Sequence, residues 1–194
     1  GLRYLCLPKY ISMKFTEQQL KGVFVIEPQV FGDSRGYFME SYKKELFEKY
    51  IGVVDFIQDN ESRSSYGVVR GLHFQRGEWS QSKLVRVTQG RVYDVVVDLR
   101  RTSPTFGQYV GIELSDENKK QLFVPRGFAH GFAVLSETAQ FCYKVDNVYA
   151  PHEEVTLFYN DPHVAVQWPI KAEEMLLSEK DKKGLGFEEI EVFE

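Results

Sequence analysis

The sequence is sparing in cysteine: only Cys6 and Cys142 occur among 194 residues. Two thiols so far apart supply neither a disulfide framework nor a thiolate cage for a metal. Cys142 lies in an apolar run and reads as a buried free thiol. Long apolar stretches are missing too, and nothing approaches the roughly 20 residues of a membrane span. The opening stretch, Gly1 to Ser12, carries Arg3 and Lys9 and lacks a good cleavage site, so it does not read as a signal peptide. Met13-Lys14-Phe15 looks like a natural start. On that reading residues 1–12 are a leader or added extension, residues 13–194 form a single domain, and the cytoplasm is the expected location. Basic charge is also short, with 24 Lys and Arg against 28 Asp and Glu for a net charge of -4. A partner gripped along a nucleic-acid backbone needs the opposite balance. Local basic residues can still hold one diphosphate.

What is present suits one globular core, with 43% apolar and 27% charged residues. Residues 53–168 are dominated by short alternating runs. Turn signals fall near Ser65–Gly67, Gln89–Gly90, Thr102–Gly107, Ser115–Asn118, Pro125–Gly127, Ser136–Thr138 and Ala150–Glu153. This spacing predicts a mainly β fold, an antiparallel sandwich or barrel. The 14% of aromatic residues fits it. Helices are expected to be short and peripheral. Thr16 is read as capping a turn through Leu20, and Ser41 to Tyr50 as a helix showing Leu46, Phe47 and Tyr50 on one face. A last helix is expected after Pro169, carrying Met175 and Leu176.

Residues two apart in a strand share a face. That rule groups Lys83 with Val85 and Val87, and His130 with Phe128, Phe132 and Val134. It also groups Tyr143 with Ala139, Phe141 and Val145, and His73 with Val69, Gly71 and Gln75. If the apolar faces look inward, a Lys, two His and a Tyr converge inside the fold. A lone inward Tyr or His is ordinarily a hydrogen-bonded core residue. An inward Lys is costly without a partner or a task, so Lys83 points most strongly to a site. Barrel mouths are common ligand sites.

Pro125-Arg-Gly-Phe-Ala-His130 resembles the second motif of the cupin superfamily. Metal-binding cupins add a His-x-His pair, which here reads His73-Phe74-Gln75, with an amide in place of the second imidazole. His73 and His130 alone fall short of a zinc or iron ligand set. His152 and His163 sit beside Pro in predicted loops and read as solvated. The reading is therefore a barrel with no metal and no cofactor, in which side chains carry the chemistry.

Several longer runs, in order, are similar to the dTDP-4-dehydrorhamnose 3,5-epimerase family. They are Val69-Arg-Gly-Leu-His-Phe-Gln75, Lys83-Leu-Val-Arg-Val87, Asp94-Val-Val-Val-Asp-Leu-Arg100, Ser103-Pro-Thr-Phe-Gly107 and Gln121 through Phe132. Asn160-Asp-Pro162, Asp33-Ser-Arg-Gly36, Gln58-Asp-Asn60 and Ser178-Glu-Lys-Asp181 extend the likeness over about residues 13–190. The resemblance implies a cupin-like antiparallel β-barrel, or jelly roll. It also implies epimerisation at carbons 3 and 5 of a dTDP-linked 4-keto-6-deoxyhexose, each proton lying α to the C4 ketone.

The catalytic residues that the resemblance implies are His73 as base, Asp181 as its carboxylate partner, Tyr143 as acid and Lys83 beside the developing oxyanion. An imidazole titrates near pH 6.5 and a phenol near 10, which suits those tasks. Substrate contacts implied in the same way are Arg35, Glu40, Gln58, Asn60, Arg70, His130, Glu154 and Lys180, with Tyr149 stacking on thymine. The resemblance further implies a homodimer that exchanges an N-terminal strand. Val23 to Phe31 is read as that strand, with Arg35 and Glu40 serving the neighbour's pocket. Three other readings remain open at this point: a relative epimerising one carbon only, a metal-dependent cupin enzyme, and a non-catalytic sugar-nucleotide binding barrel.

Overall fold

Alternation through the middle of the chain produces two antiparallel sheets that face one another. The computed structural model describes residues 12–194. The expected leader, residues 1–12, lies outside them apart from Ser12, as does Cys6. One sheet has six strands in the order β1 (Met13–Glu17), β2 (Phe24–Pro28), β10 (Gln121–Val124), β7 (Lys83–Gln89), β12 (Thr138–Val145) and β5 (Gln58–Ser65). The other has five, in the order β13 (Glu154–Thr156), β6 (Val69–Gln75), β11 (Phe128–Val134), β8 (Arg91–Asp98) and β9 (Tyr109–Ser115). A separate hairpin joins β3 (Val30–Asp33) to β4 (Gly36–Met39). The architecture is the expected mainly β, cupin-like barrel.

The inner faces meet in one core. Val85, Val87 and Phe141 of the six-stranded sheet pack against Val92, Val96, Phe128 and Phe132 of the other. Phe132 and Phe141 stack across the gap with ring centroids 4.2 Å apart. The outer face of the five-stranded sheet is covered as well. Leu72, Phe74, Val95 and Ala129 lie under Leu157, Val164, Phe187 and Ile190 from the C-terminal segment. On the outer face of the six-stranded sheet, Leu84 and Phe123 pack on Phe47 of α1 (Lys44–Tyr50). Fully buried aliphatic and aromatic side chains stabilise by roughly 1.5–3 kcal/mol each. Burial on both faces explains the unbroken run Val95-Val-Val97 in β8.

Several expectations are corrected. Thr16 caps no helical turn: it lies in β1, paired with Val25 of β2. The Val23 to Phe31 segment is two strands, β2 inside the large sheet and β3 in the hairpin. The helix expected after Pro169 is only a 3-10 turn at Ala172–Glu174, and Leu176 is instead extended, bridging to Val68. The real helix there is the single turn α2 (Glu179–Lys182). Cys142 is half-buried rather than buried, on the outward side of β12 near Thr88 and Glu61.

The grouping of Val69, Gly71, His73 and Gln75 on one face also fails. His130 pairs with His73 and Phe132 with Arg70, so two steps along β11 match three along β6. This bulge turns both Arg70 and His73 inward, while Val69, Leu72 and Phe74 pack outward. Gly71 takes the extra residue at φ +118, pressed so close to Gly131 that a Cβ would meet its Cα at 2.7 Å.

Candidate active site

The bulge in β6 aims His73 into a cavity of about 190 Å³ lined by Arg70, His73, Lys83, His130, Phe141 and Tyr143. Five of these are residues that the sequence singled out, and they come from both sheets. His73, Arg70 and His130 project from the five-stranded sheet. Lys83 and Tyr143 project from the six-stranded one.

His73 Nε2 lies 2.6 Å from Asp181 Oδ1. Asp181 is supplied by α2, whose first turn is capped by Ser178 Oγ accepting from the Asp181 N–H at 3.1 Å. Backbone bridges hold the chain on either side of this turn, Leu176 to Val68 and Leu185 to Leu157. Asp181 is only 3% exposed. Burial by itself raises its pKa, but His73, the Gly71 N–H and Lys180 outweigh it and hold the carboxyl below the usual range. The second oxygen accepts from Gly71 N at 3.2 Å. An ionised Asp181 accepts from Nε2–H, which leaves Nδ1 as the lone-pair nitrogen of a neutral His73.

Tyr143 stands on β12 opposite Asn60 of β5. Burial raises its phenol, with Asn60 and Arg70 opposing and Glu154 adding to the rise. Lys83 opens β7 with its ammonium 5.9 Å from the Tyr143 ring centroid. Burial lowers its pKa to about 8, against the pull of Glu154 and Asp94. Arg70 donates from Nε to Ser64 Oγ at 3.1 Å. At the rim, the Tyr149 hydroxyl donates to Glu154 Oε2 at 2.7 Å, and Lys180 donates to Glu154 Oε1. That hydrogen bond to Glu154 raises the Tyr149 phenol. Burial favours the neutral Glu154 carboxyl, but Lys180, Tyr149 and His73 together keep it low. Gln58 Nε2 donates to Asn60 Oδ1 at 2.8 Å on the edge strand β5.

Two expected residues are not brought to the cavity within one chain. Arg35 lies in the tight turn joining β3 to β4, exposed and bound to Asp33, and Glu40 pairs with Lys43. Gln75 does not face the cavity either; its amide is spent on backbone groups at Trp79, Val148 and Ala150. Among the described residues no three His, Cys, Asp or Glu side chains gather as a metal would require. A second cavity, of about 380 Å³, lies by the six-stranded sheet among Tyr42, Leu84, Arg86 and Lys144, and Asn60 and Tyr143 line it too. No histidine lines it.

One carboxylate was missed. Asp94, fully buried on β8, lies with Oδ1 2.8 Å from Nε2 of the buried His130. Its Oδ2 has no hydrogen-bond partner, and burial raises its pKa despite His130 and Lys83. The signal was available. Asp94 alternates with Val92 and Val96, the same anomaly that marked Lys83.

A model of the dTDP-4-dehydrorhamnose 3,5-epimerase family matches residues 17–189. The curated dTDP-4-dehydrorhamnose 3,5-epimerase of Pseudomonas aeruginosa is 52% identical over 182 residues, covering 93% of this chain and 99% of the relative. The crystal structure of the Elizabethkingia anophelis enzyme of that name superposes with a TM-score of 0.88 at 52% identity, over 91% of this chain and 97% of the other. A Legionella pneumophila dTDP-6-deoxy-D-glucose-3,5-epimerase, in complex with dTDP-4-keto-L-rhamnose, superposes with a TM-score of 0.89 at 46% identity. It covers 93% of this chain and 95% of the other.

Proposed function

Because the chain belongs to the dTDP-4-dehydrorhamnose 3,5-epimerase family, we propose that the inner cavity works with His73 as base, Tyr143 as acid and Lys83 as oxyanion partner. The protein is an isomerase. It inverts C3 and C5 of dTDP-4-dehydro-6-deoxy-D-glucose, giving dTDP-4-dehydro-L-rhamnose for dTDP-L-rhamnose synthesis. The observation that carries the residue assignment is His73 on one sheet, paired with Asp181 of α2, facing Tyr143 on the other sheet across the cavity.

Inversion needs a proton removed from one side of a carbon and another delivered from the opposite side. His73 Nδ1 takes the proton α to the ketone, and the C–H electron pair moves into the enolate with its charge on O4. Asp181 keeps its own negative charge and stabilises the imidazolium that forms. The Lys83 ammonium faces the same space and lowers the energy of that oxyanion. Tyr143 then donates its phenolic proton to the carbon, and proton exchange with water resets both residues. The same sequence serves either carbon, since both flank one ketone.

Arg70 and His130 in the cavity, with Gln58, Asn60, Tyr149, Glu154 and Lys180 at its rim, are assigned to the nucleotide and sugar. Arg suits a diphosphate, and an exposed Tyr suits the face of a base. We assign Arg35 and Glu40 to the cavity of a partner copy in a homodimer. Supporting this, the β3–β4 hairpin is hydrogen-bonded to neither large sheet and exposes Tyr37 and Phe38. β2 pairs with β10 of its own chain, and we assign the exchange to the hairpin. No helix among the described residues is long and apolar enough to cross a membrane. The charged diphosphate of the substrate does not cross a bilayer unaided, which favours the cytoplasm as the working compartment.

The test is incubation with dTDP-4-dehydro-6-deoxyglucose in deuterated water. Deuterium at both C3 and C5 is expected. Label at one carbon would mark a single-carbon epimerase, and no label would sink the assignment.

A further inference from the structure

Gln75, where a metal-binding cupin has its second imidazole, has all its hydrogen bonds outside the cavity. It closes β6, two residues after His73, and is only 4% exposed. Its Nε2 donates to the Val148 carbonyl at 3.0 Å and to the Trp79 carbonyl at 2.7 Å. Its Oε1 accepts from the Ala150 N–H at 2.8 Å. One side-chain amide therefore holds the peptide groups on both sides of Tyr149. The rest of the loop is tied from the same region: Gln81 donates to the Asn147 carbonyl, and Asn147 donates to the carbonyls of Glu78 and Ser80. Tyr149 itself is 60% exposed, and its hydroxyl donates to Glu154 Oε2. An aromatic ring so little packed keeps a fixed position only if its backbone does.

We propose that Gln75 is a positioning residue for nucleotide recognition, clamping the Val148 and Ala150 backbone so that Tyr149 stands ready to stack on the base. This rests on the assignment of Tyr149 to the base given above. Pre-organisation of this kind reduces the ordering cost of binding. It acts on substrate affinity and leaves the proton transfers of His73 and Tyr143 alone. Only an amide serves, since the clamp needs a donor for two carbonyls and an acceptor for one N–H. A carboxylate of the same shape would repel both carbonyls.

The test compares Gln75→Glu, Tyr149→Ala and the double variant, by calorimetric binding of dTDP and by turnover of dTDP-4-dehydro-6-deoxyglucose. Stacking on one aromatic ring is worth about tenfold or more in affinity. Gln75→Glu is expected to weaken dTDP binding by roughly that factor and to raise KM with kcat nearly unchanged. The double variant should bind no more weakly than Tyr149→Ala alone. Full additivity, or a fall in kcat at constant KM, would overturn the proposal. If Tyr149→Ala binds dTDP normally, the base-stacking assignment itself is wrong and the proposal falls with it. Hydrogen exchange of the wild-type enzyme supplies a measurement that no variant's folding can spoil. The Ala150 amide is expected to be protected in its exposed loop, and rapid exchange would contradict the clamp.

Discussion

Asp181 reaches His73 across 108 positions of chain, with Oδ1 2.6 Å from Nε2 and Oδ2 on the Gly71 N–H. The carboxylate thereby fixes which imidazole nitrogen is free to act. Asp181→Asn should lower kcat by roughly 10²-fold or more while the protein stays folded at neutral pH. Steady-state kinetics beside a melting curve check this; near-normal turnover would count against the pairing.

The same carboxylate makes stability depend on acid. Its folded pKa is depressed below the ordinary carboxylate value of about 3.9, so its contribution is fully present above that value. It fades as the pH falls through the lower folded value. The melting temperature of the wild type should therefore fall towards that of Asp181→Asn as the pH drops below about 4. Calorimetry between pH 3 and 7 would detect a gap that fails to narrow.

Base and acid stand on opposite sheets and can be separated by isotope. His73→Asn should abolish deuterium uptake from solvent at both carbons, a loss of about 10²–10⁴-fold. Tyr143→Phe should still exchange the α protons, because the base remains, yet accumulate little inverted product. NMR of the sugar after incubation distinguishes them. Equal exchange in both variants would refute the division of labour.

Lys83 has its pKa lowered to about 8 by burial. An ammonium is needed at the oxyanion, so kcat/KM of the wild type should decline as the pH rises past about 8. Lys83→Met should lose that alkaline limb along with about 10²–10³-fold in kcat. A limb unchanged in the variant would reassign it.

The β6 bulge is a stability element. A Cβ at Gly71 would meet Gly131 Cα at 2.7 Å and the His130 carbonyl at 2.8 Å, on a residue at φ +118. Gly71→Ala should cost more than about 2 kcal/mol in denaturant unfolding and displace His73 from Asp181. A near-neutral effect would show that the bulge can relax.

Much of the fold was legible because strand alternation is local. Turn residues and period-two faces located the strands and turned Lys83, His130 and Tyr143 inward. The rule failed at β6, where an inserted residue shifts the face and brings in Arg70 beside His73. Nothing in Val69-Arg-Gly-Leu-His-Phe-Gln75 signals the bulge except Gly71, and a glycine in a strand has several causes. The end of Val23 to Phe31 was misread for a related reason. Alternation continues through Gln29, while pairing passes from the large sheet to the hairpin.

By itself the sequence determined the β class, the inward polar residues and, through its motifs, the family, since each depends on residue types within a few positions. The family resemblance implied Asp181 beside His73, and tertiary structure supplied its geometry; tertiary structure alone decided Asp94 with His130, Glu154 with Tyr149 and Lys180, and Gln75 with the backbone around Tyr149. Such contacts join strands and turns up to 108 residues apart. Their partners are chosen by sheet order and register, which the whole core fixes at once and no local pattern encodes.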